Sequence, residues 1–213
     1  MLGDCPVNEF DERLIVHYLK LPQRPEESEA VILACHEKEI FPVKDIPCFW
    51  DNTVFVSESQ REWHGTNGVI IPNVVADLEE PKAFILGQPA GIIGSIDENK
   101  QTHVSIQRAL DDGNKLVKLF GVVTDHGYYD EYVKPYVEDG KAELMGHEDD
   151  KQKMYNSLSC VYHSSKSETF NLVKVECAKT GTPYHGLPSA ESGAEDWTNS
   201  KILSEWEKCL NIS

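Results

Sequence analysis

Ser167-Glu-Thr-Phe-Asn-Leu-Val-Lys-Val-Glu-Cys-Ala-Lys-Thr-Gly-Thr-Pro183 holds two glutamates, Glu168 and Glu176, with seven residues between them. Glu168 follows a strand-like run and a pair of serines. Glu176 lies inside a short amphipathic pattern that predicts a helix over 170–179, stopped by Gly181-Thr-Pro. A strand, a tight turn and a helix start make a natural anion site, because the first helical N–H groups have no partner within the helix. Carboxylates just before and within that helix can accept hydrogen bonds from hydroxyls of the same ligand. The ligand that fits this arrangement carries phosphate between two polyols.

Outward from this stretch, short apolar runs alternate with helical patterns. Towards the N-terminus of it, strands are expected at 160–163, 142–145, 116–123 and 91–94. Helices are expected at 149–157, 128–137 and 103–109, the last closed by Asp-Asp-Gly113. This alternation implies βαβ units and a parallel, doubly wound sheet. Earlier in the chain, 14–19, 30–36, 53–56 and 69–71 read as buried strands. Ser57-Glu-Ser-Gln-Arg-Glu opens a short helix with a serine cap and acids in its first turn. Residues 74–91, rich in proline and glycine, read as a connection. The division expected is an N-terminal α/β domain over 1–82 and a Rossmann-like domain over 83–213. The last segment, from Asp196, predicts an amphipathic helix with Ile202, Leu203, Trp206 and Leu210 as its apolar stripe.

The chain has 213 residues, 40% hydrophobic and 26% charged, which is the composition of a globular protein. No apolar run approaches the ~20 residues of a membrane span. Met-Leu-Gly-Asp-Cys-Pro shows no signal-peptide pattern, so a cytoplasmic, intracellular location is expected. Six cysteines without a Cys-x-x-Cys pair read as free thiols in a reducing compartment. The net charge of −16 opposes non-specific binding to nucleic acid. Lys115, Lys118, Lys151, Lys153, Lys166, Lys174 and Lys179 crowd the C-terminal half and read as solvated. There is no Asp-x-Asp triplet to hold a divalent ion on a diphosphate. No Gly-x-Ser-x-Gly elbow, P-loop or Gly-x-Gly-x-x-Gly fingerprint is present.

With these elements in order, the chain resembles retaining glycosyltransferases of the two-domain GT-B fold, family 4 type. The run Glu168-x7-Glu176 followed by Gly181-Thr-Pro is similar to the E-x7-E element of that family. Asp51-Asn-Thr-Val-Phe-Val-Ser-Glu-Ser59 resembles its strand ending in Val-Ser-Glu, and Val69-Ile-Ile-Pro-Asn73 the Ile-Pro-Asn that follows. Ile92-Ile-Gly94 with Lys100 resembles the Gly-Arg-x4-Lys loop opening the C-terminal domain. Residues 137–146, Lys153-Met-Tyr155 and Val161-Tyr-His-Ser-Ser165 follow the family's path into E-x7-E. The likeness runs over 50–185 and more faintly over 14–50.

The resemblance implies a GT-B-like α/β fold, in which 1–82 is an abbreviated N-terminal domain on the acceptor side and 83–213 the nucleotide-sugar-binding domain, and transfer of a hexosyl or pentosyl group, with retention, to an acceptor hydroxyl. The donor implied is a nucleoside-diphosphate sugar, with UDP as the expected nucleotide. No separate cofactor and no metal are implied. Glu176 would accept the ribose hydroxyls and Glu168 those of the donor sugar. Phe170, Asn171 and Leu172 would offer backbone N–H groups at the helix start. Gly94, Ser95 and Lys100 would face the diphosphate, Lys100 supplying the charge. His36 falls near a histidine that supports the reacting centre. Read singly, each of these has an ordinary structural reading: Lys100 as a solvated loop lysine, Phe170 and Leu172 as core, His36 as a strand-end histidine.

Three departures stand out. The family's arginine after the glycine is Ser95 here, and its glycine beside the phenylalanine is Asn171. The glycine-rich loop that opens a full N-terminal domain has no counterpart. The chain is then a minimal enzyme, or it completes its cleft as a homo- or hetero-oligomer, or it is a non-catalytic nucleotide-sugar-binding subunit needing a partner domain. The acceptor is not legible; a hydroxymethylated base in phage-type DNA is one expectation, with the acidic total against it.

Overall fold

The computed structural model describes residues 8–10, 13–18, 30–35, 52–64, 67–80, 87–187 and 198–210. The chain forms two compact units, one of residues 1–74 with 193–213 and one of residues 75–192. The sequence reading put the last helix in the second domain; its contacts group it with the first unit.

In the first unit five strands follow chain order across the sheet. β1 (Asn8–Phe10) is antiparallel to β2 (Arg13–Tyr18). β3 (Ala30–Cys35), β4 (Asn52–Phe55) and β5 (Val69–Ile70) continue in parallel. β1 has no forewarning in the sequence, being three residues long with two of them polar. α1 (Glu58–His64) starts where expected, with Ser57 Oγ accepting from Gln60 N–H at 3.2 Å. The Gln60 amide oxygen reaches back to Val56 N–H at 2.8 Å, a reciprocal cap shifted one residue from the usual box. α7 (Asn199–Leu210) buries Ile202 against Val54 and Ile71, flanked by Trp206 and Cys209. That stripe runs 202, 206, 209. Leu203, expected in it, is rotated about 100° off and is 57% exposed.

The second unit is a parallel sheet in which β6 (Ala90–Ile93), β7 (Val117–Phe120), β8 (Ala142–Gly146), β9 (Val161–His163) and β10 (Tyr184–Gly186) take the order β10-β9-β6-β7-β8. From β6 the chain winds outward through β7 to β8, then returns to the other side of β6 for β9. The order therefore reverses between β6 and β9, and ligands of doubly wound sheets bind beyond the carboxyl ends of strands at such a switch point. Side chains alternate across the sheet. Ala90, Ile92, Val117 and Leu119 pack on one face with Ile106 and Ala109 of α2 (Thr102–Asp111). Ile93 and Phe120 pack on the other, with Met154 and Tyr155 of α5 (Lys151–Asn156) and Cys177 of α6 (Leu172–Thr180). Gly91 shares that second face because a Cβ there would stand 2.3 Å from Leu158 Cδ1.

The helix expected over 128–137 is three pieces: α3 (His126–Tyr128), a π-turn (Tyr129–Val133) and α4 (Lys134–Glu138). Pro135 explains the break. It has no N–H for the Glu131 carbonyl and its ring crowds that oxygen, so the helix widens just before it. β10 also lay outside the sequence reading, its three residues being too few to carry a period.

Candidate functional site

The loop after β6 is built first by contact with the loop after β7. Gly94 N–H donates to the Phe120 carbonyl and Ile96 N–H to that of Val122, both at 2.9 Å. Gly94 has φ 143 and Gly121 φ 147, and a Cβ on Gly121 would meet the Gly94 carbonyl oxygen at 1.9 Å. The two strand ends touch there only because Gly121 has no Cβ, while Gly94 is glycine for its positive φ. Asp97 then braces the loop. Its carboxylate accepts from Ser95 Oγ at 2.5 Å, Thr124 Oγ1 at 3.2 Å and Lys100 N–H at 2.9 Å. Ser95 thus holds the loop's shape.

The loop after β9 is stitched to it. Lys166 N–H donates to the Asn99 carbonyl at 2.8 Å, and the Asn99 amide to the Ser167 carbonyl at 3.4 Å. Over this join, Lys100 Nζ lies 2.5 Å and His163 Nε2 2.9 Å from the same oxygen, Glu168 Oε1. His163 donates there through Nε2–H, since an ionised carboxylate only accepts. Burial alone would raise the Glu168 pKa; the His163 hydrogen bond and the Lys100 charge outweigh it and hold it at about 2. Glu168 is accordingly a carboxylate at neutral pH, with its side chain 11% exposed.

Glu176 has separate partners. Its carboxylate is ion-paired with Lys151 and accepts from the Tyr155 hydroxyl at 2.8 Å. The Tyr155 phenol is pushed far up by burial, with Cys177 and Glu176 adding to it, so it stays a donor. The Cys177 thiol is likewise pushed up to about 12, chiefly by burial and then by Glu176. Cys160, Cys177 and Cys209 are free thiols. Glu176 itself is 2% exposed, and Lys151 alone of this group reaches solvent, at 42%.

Asn171 caps α6. Its side-chain oxygen accepts from Lys174 N–H at 3.0 Å and its amide donates to the Tyr184 hydroxyl at 2.8 Å. Phe170 is buried, and Leu172 N–H donates to the Phe170 carbonyl at 3.0 Å. Gly181, with φ 65, ends the helix in the left-handed conformation.

The structure therefore gathers Gly94, Ser95, Lys100 and Glu168 at the carboxyl ends of β6 and β9. It sets Phe170, Asn171 and Leu172 at the start of α6 and Glu176 within that helix against α5. His36 lies outside the described residues. Sequence reasoning missed His163, Asp97, Lys151 and Tyr155. His163 left a signal, as a histidine closing a strand five residues before Glu168. Lys151 left none, since its helix position reads as solvated until α5 and α6 are packed. Among the described residues no group of three or more His, Cys, Asp or Glu side chains stands together to hold a metal, and no helix is long and apolar enough to cross a membrane.

No protein-family model and no curated protein matches the sequence. Solved structures do match the fold. TarM of S. aureus superposes with a TM-score of 0.64 at 16% identity, over 88% of this chain and 44% of that one. HepE of Anabaena, in complex with UDP and glucose, gives 0.65 at 14% identity over 86% and 62%. AviGT4, a glycosyltransferase involved in avilamycin A biosynthesis, gives 0.61 at 17% identity over 84% and 59%. The chain spans about half the length of these structures. Mixed α/β units, a doubly wound parallel sheet and these neighbours together make the fold that of the GT-B glycosyltransferases.

Proposed function

We propose that the chain is a glycosyltransferase that moves a hexosyl or pentosyl group from a UDP-sugar to an acceptor hydroxyl with retention, after the manner of family 4. The observation that carries this reading is the Lys100–Glu168–His163 cluster at the switch point of the sheet. It pairs an ionised carboxylate, suited to sugar hydroxyls, with an ammonium group suited to a diphosphate. Neighbouring structures that contain UDP and glucose, or UDP and GlcNAc, support the choice of donor.

In this mechanism the donor sugar lies against Glu168, and Gly94 and Lys100 meet the diphosphate. Glu176 takes the ribose hydroxyls once Lys151 swings aside. Lys100 stabilises the departing nucleoside diphosphate as charge develops on it. The leaving phosphate takes the acceptor proton on the same face, so the protein supplies position and electrostatics in place of a nucleophile. The reading includes no metal and no cofactor besides the nucleotide-sugar, cytoplasmic operation, and a supporting role for His36. Modified DNA is retained as one acceptor class to be tested.

A second reading has one observation in its favour. The chain spans 43–63% of these structural neighbours, and one neighbour, GtfA/B, is a complex. On that reading the chain binds nucleotide-sugar and a partner domain or second copy completes catalysis. Nucleotide release from UDP-, GDP- and ADP-sugars decides between them, with and without hydroxymethylated DNA, for the natural chain and for Glu168→Gln. Release from one donor, lost in the variant, supports the enzyme. A thermal shift with that donor but no release supports the binding subunit. Neither release nor shift with any donor refutes both.

A further inference from the structure

A cavity of about 440 Å3 opens in the second unit where the β6–α2 loop meets α3 and the π-turn. Its size lies within the range of ligand pockets, roughly 300–1,000 Å3. Its apolar wall is aromatic. The His103 and Tyr132 rings are 5.0 Å apart between centroids, and those of Tyr128 and Tyr132 are 5.5 Å apart. Tyr128 is buried, with its hydroxyl 2.7 Å from His103 Nδ1, and acts as backing. Tyr132 is 44% exposed and offers the open ring. The neighbouring Glu131 raises the pKa of its phenol, which keeps the proton on.

The polar rim is mixed in character. Glu98 and Lys166 form an ion pair at 2.6 Å. Asp125 is engaged as the cap of α3, accepting from Tyr128 N–H at 3.0 Å. Gln101 brings an amide, with both donor and acceptor capacity. An exposed aromatic face beside carboxylate, amide and ammonium groups is the chemistry that holds a neutral polyol. Sugar C–H groups lie on the ring and hydroxyls find both acceptors and donors. A phosphodiester would meet three carboxylates and a single lysine that is already paired, whereas phosphate binding needs an excess of cations.

One backbone feature points to a built site. Gln101, with φ 47, is the sole non-glycine residue of positive φ among the described residues. Left-handed non-glycine residues concentrate where ligands bind. The π-turn that Pro135 imposes carries Glu131 and Tyr132 into the cavity wall. The cavity takes Glu98 and Lys166 from the same two loops that bring Lys100 to Glu168.

We propose that this cavity binds a unit of a neutral saccharide, and that this saccharide is the acceptor. The acceptor role rests on the proposed glycosyl transfer; the sugar binding does not. The test is saturation-transfer NMR on the full chain with methyl α-glucoside and methyl N-acetylglucosaminide, with UDP as an internal control. Tyr132→Ala weakens glycoside binding about tenfold, the equivalent of one stacked ring, while Tyr132→Phe binds like the natural chain. Tyr132 is exposed, so neither substitution threatens the fold, and UDP binding should be equal in all three proteins. Absence of glycoside binding, equal binding in Tyr132→Ala, or displacement of the glycoside by an oligonucleotide carrying hydroxymethylcytosine overturns the proposal. Failure of UDP to bind any of the proteins sinks the transferase reading instead, and the glycoside result still judges the cavity.

Discussion

Removing Lys151 should harm the protein more than neutralising Glu176, although the two form one ion pair. Glu176 is 2% exposed and Lys151 42%. In Lys151→Met the carboxylate stays buried with the Tyr155 hydroxyl as its remaining hydrogen-bond donor in this group. An uncompensated buried charge costs about 3–5 kcal/mol, and access of water through the vacated lysine position favours the lower end, about 3 kcal/mol. In Glu176→Gln, Lys151 turns into solvent and the amide oxygen still accepts from Tyr155, so the loss is that of an exposed pair, about 1 kcal/mol. For a chain of this length these values correspond to about 6–12 °C and about 2–4 °C in Tm. The double variant should melt above Lys151→Met, because it no longer buries a lone charge. Calorimetry at pH 7 on the three variants reads this directly. Lys151→Met melting within about 2 °C of the natural chain, or Glu176→Gln proving the more damaging, refutes the argument. On the proposed donor reading, UDP stabilises Lys151→Met more than the natural chain, since ribose hydroxyls supply the hydrogen bonds that the lysine gave.

Three other outcomes are expected. Glu168 has a folded-state pKa of about 2 against 4.5, so its contribution is complete above about 4.5 and is lost as pH falls towards 2; at ~1.4 kcal/mol per unit it amounts to about 3 kcal/mol at neutral pH. Urea unfolding of Glu168→Gln between these limits should show a flatter pH dependence than the natural chain, and parallel curves would contradict the assignment. Gly121→Ala forces a Cβ to 1.9 Å from the Gly94 carbonyl oxygen at φ 147, which should destabilise the second unit by about 3 kcal/mol or more and open the Lys100 loop, read by unfolding and by limited proteolysis after Ser95. Asn171→Ala removes the α6 cap and its bond to Tyr184, at a cost of about 1–2 kcal/mol; an unchanged midpoint would mean that the α6 start is held by other contacts.

Much of the fold was legible because its signals are local. Ser57 capping α1 and Gly181 ending α6 act within one helical turn, so residue type alone locates them. The alternation of apolar runs and helical patterns over 90–180 announced a parallel doubly wound sheet, since strands with both faces covered must read as apolar and must be linked by helices. The E-x7-E spacing placed one carboxylate before α6 and one within it. Other elements were illegible for equally physical reasons. Strands of three residues such as β1 and β10 carry no period, and their stability comes from the neighbour they join. Leu203 was misassigned because an apolar type near the stripe does not say which way a helix is turned.

What the tertiary structure alone decided is who meets whom. Lys100 and Glu168 are 68 residues apart in sequence, and Lys151 and Glu176 are 25 apart. The first pairing follows from β9 lying beside β6 and the second from α5 packing against α6, which the order of elements in the chain allows but does not dictate. The sequence by itself determined that two acidic side chains, a lysine loop and a helix start belong to a doubly wound sheet. Only the packing decided that Glu168 is the carboxylate held ionised near the surface and Glu176 the one closed off beneath a lysine, because burial and charge depend on neighbours that sequence distance does not record.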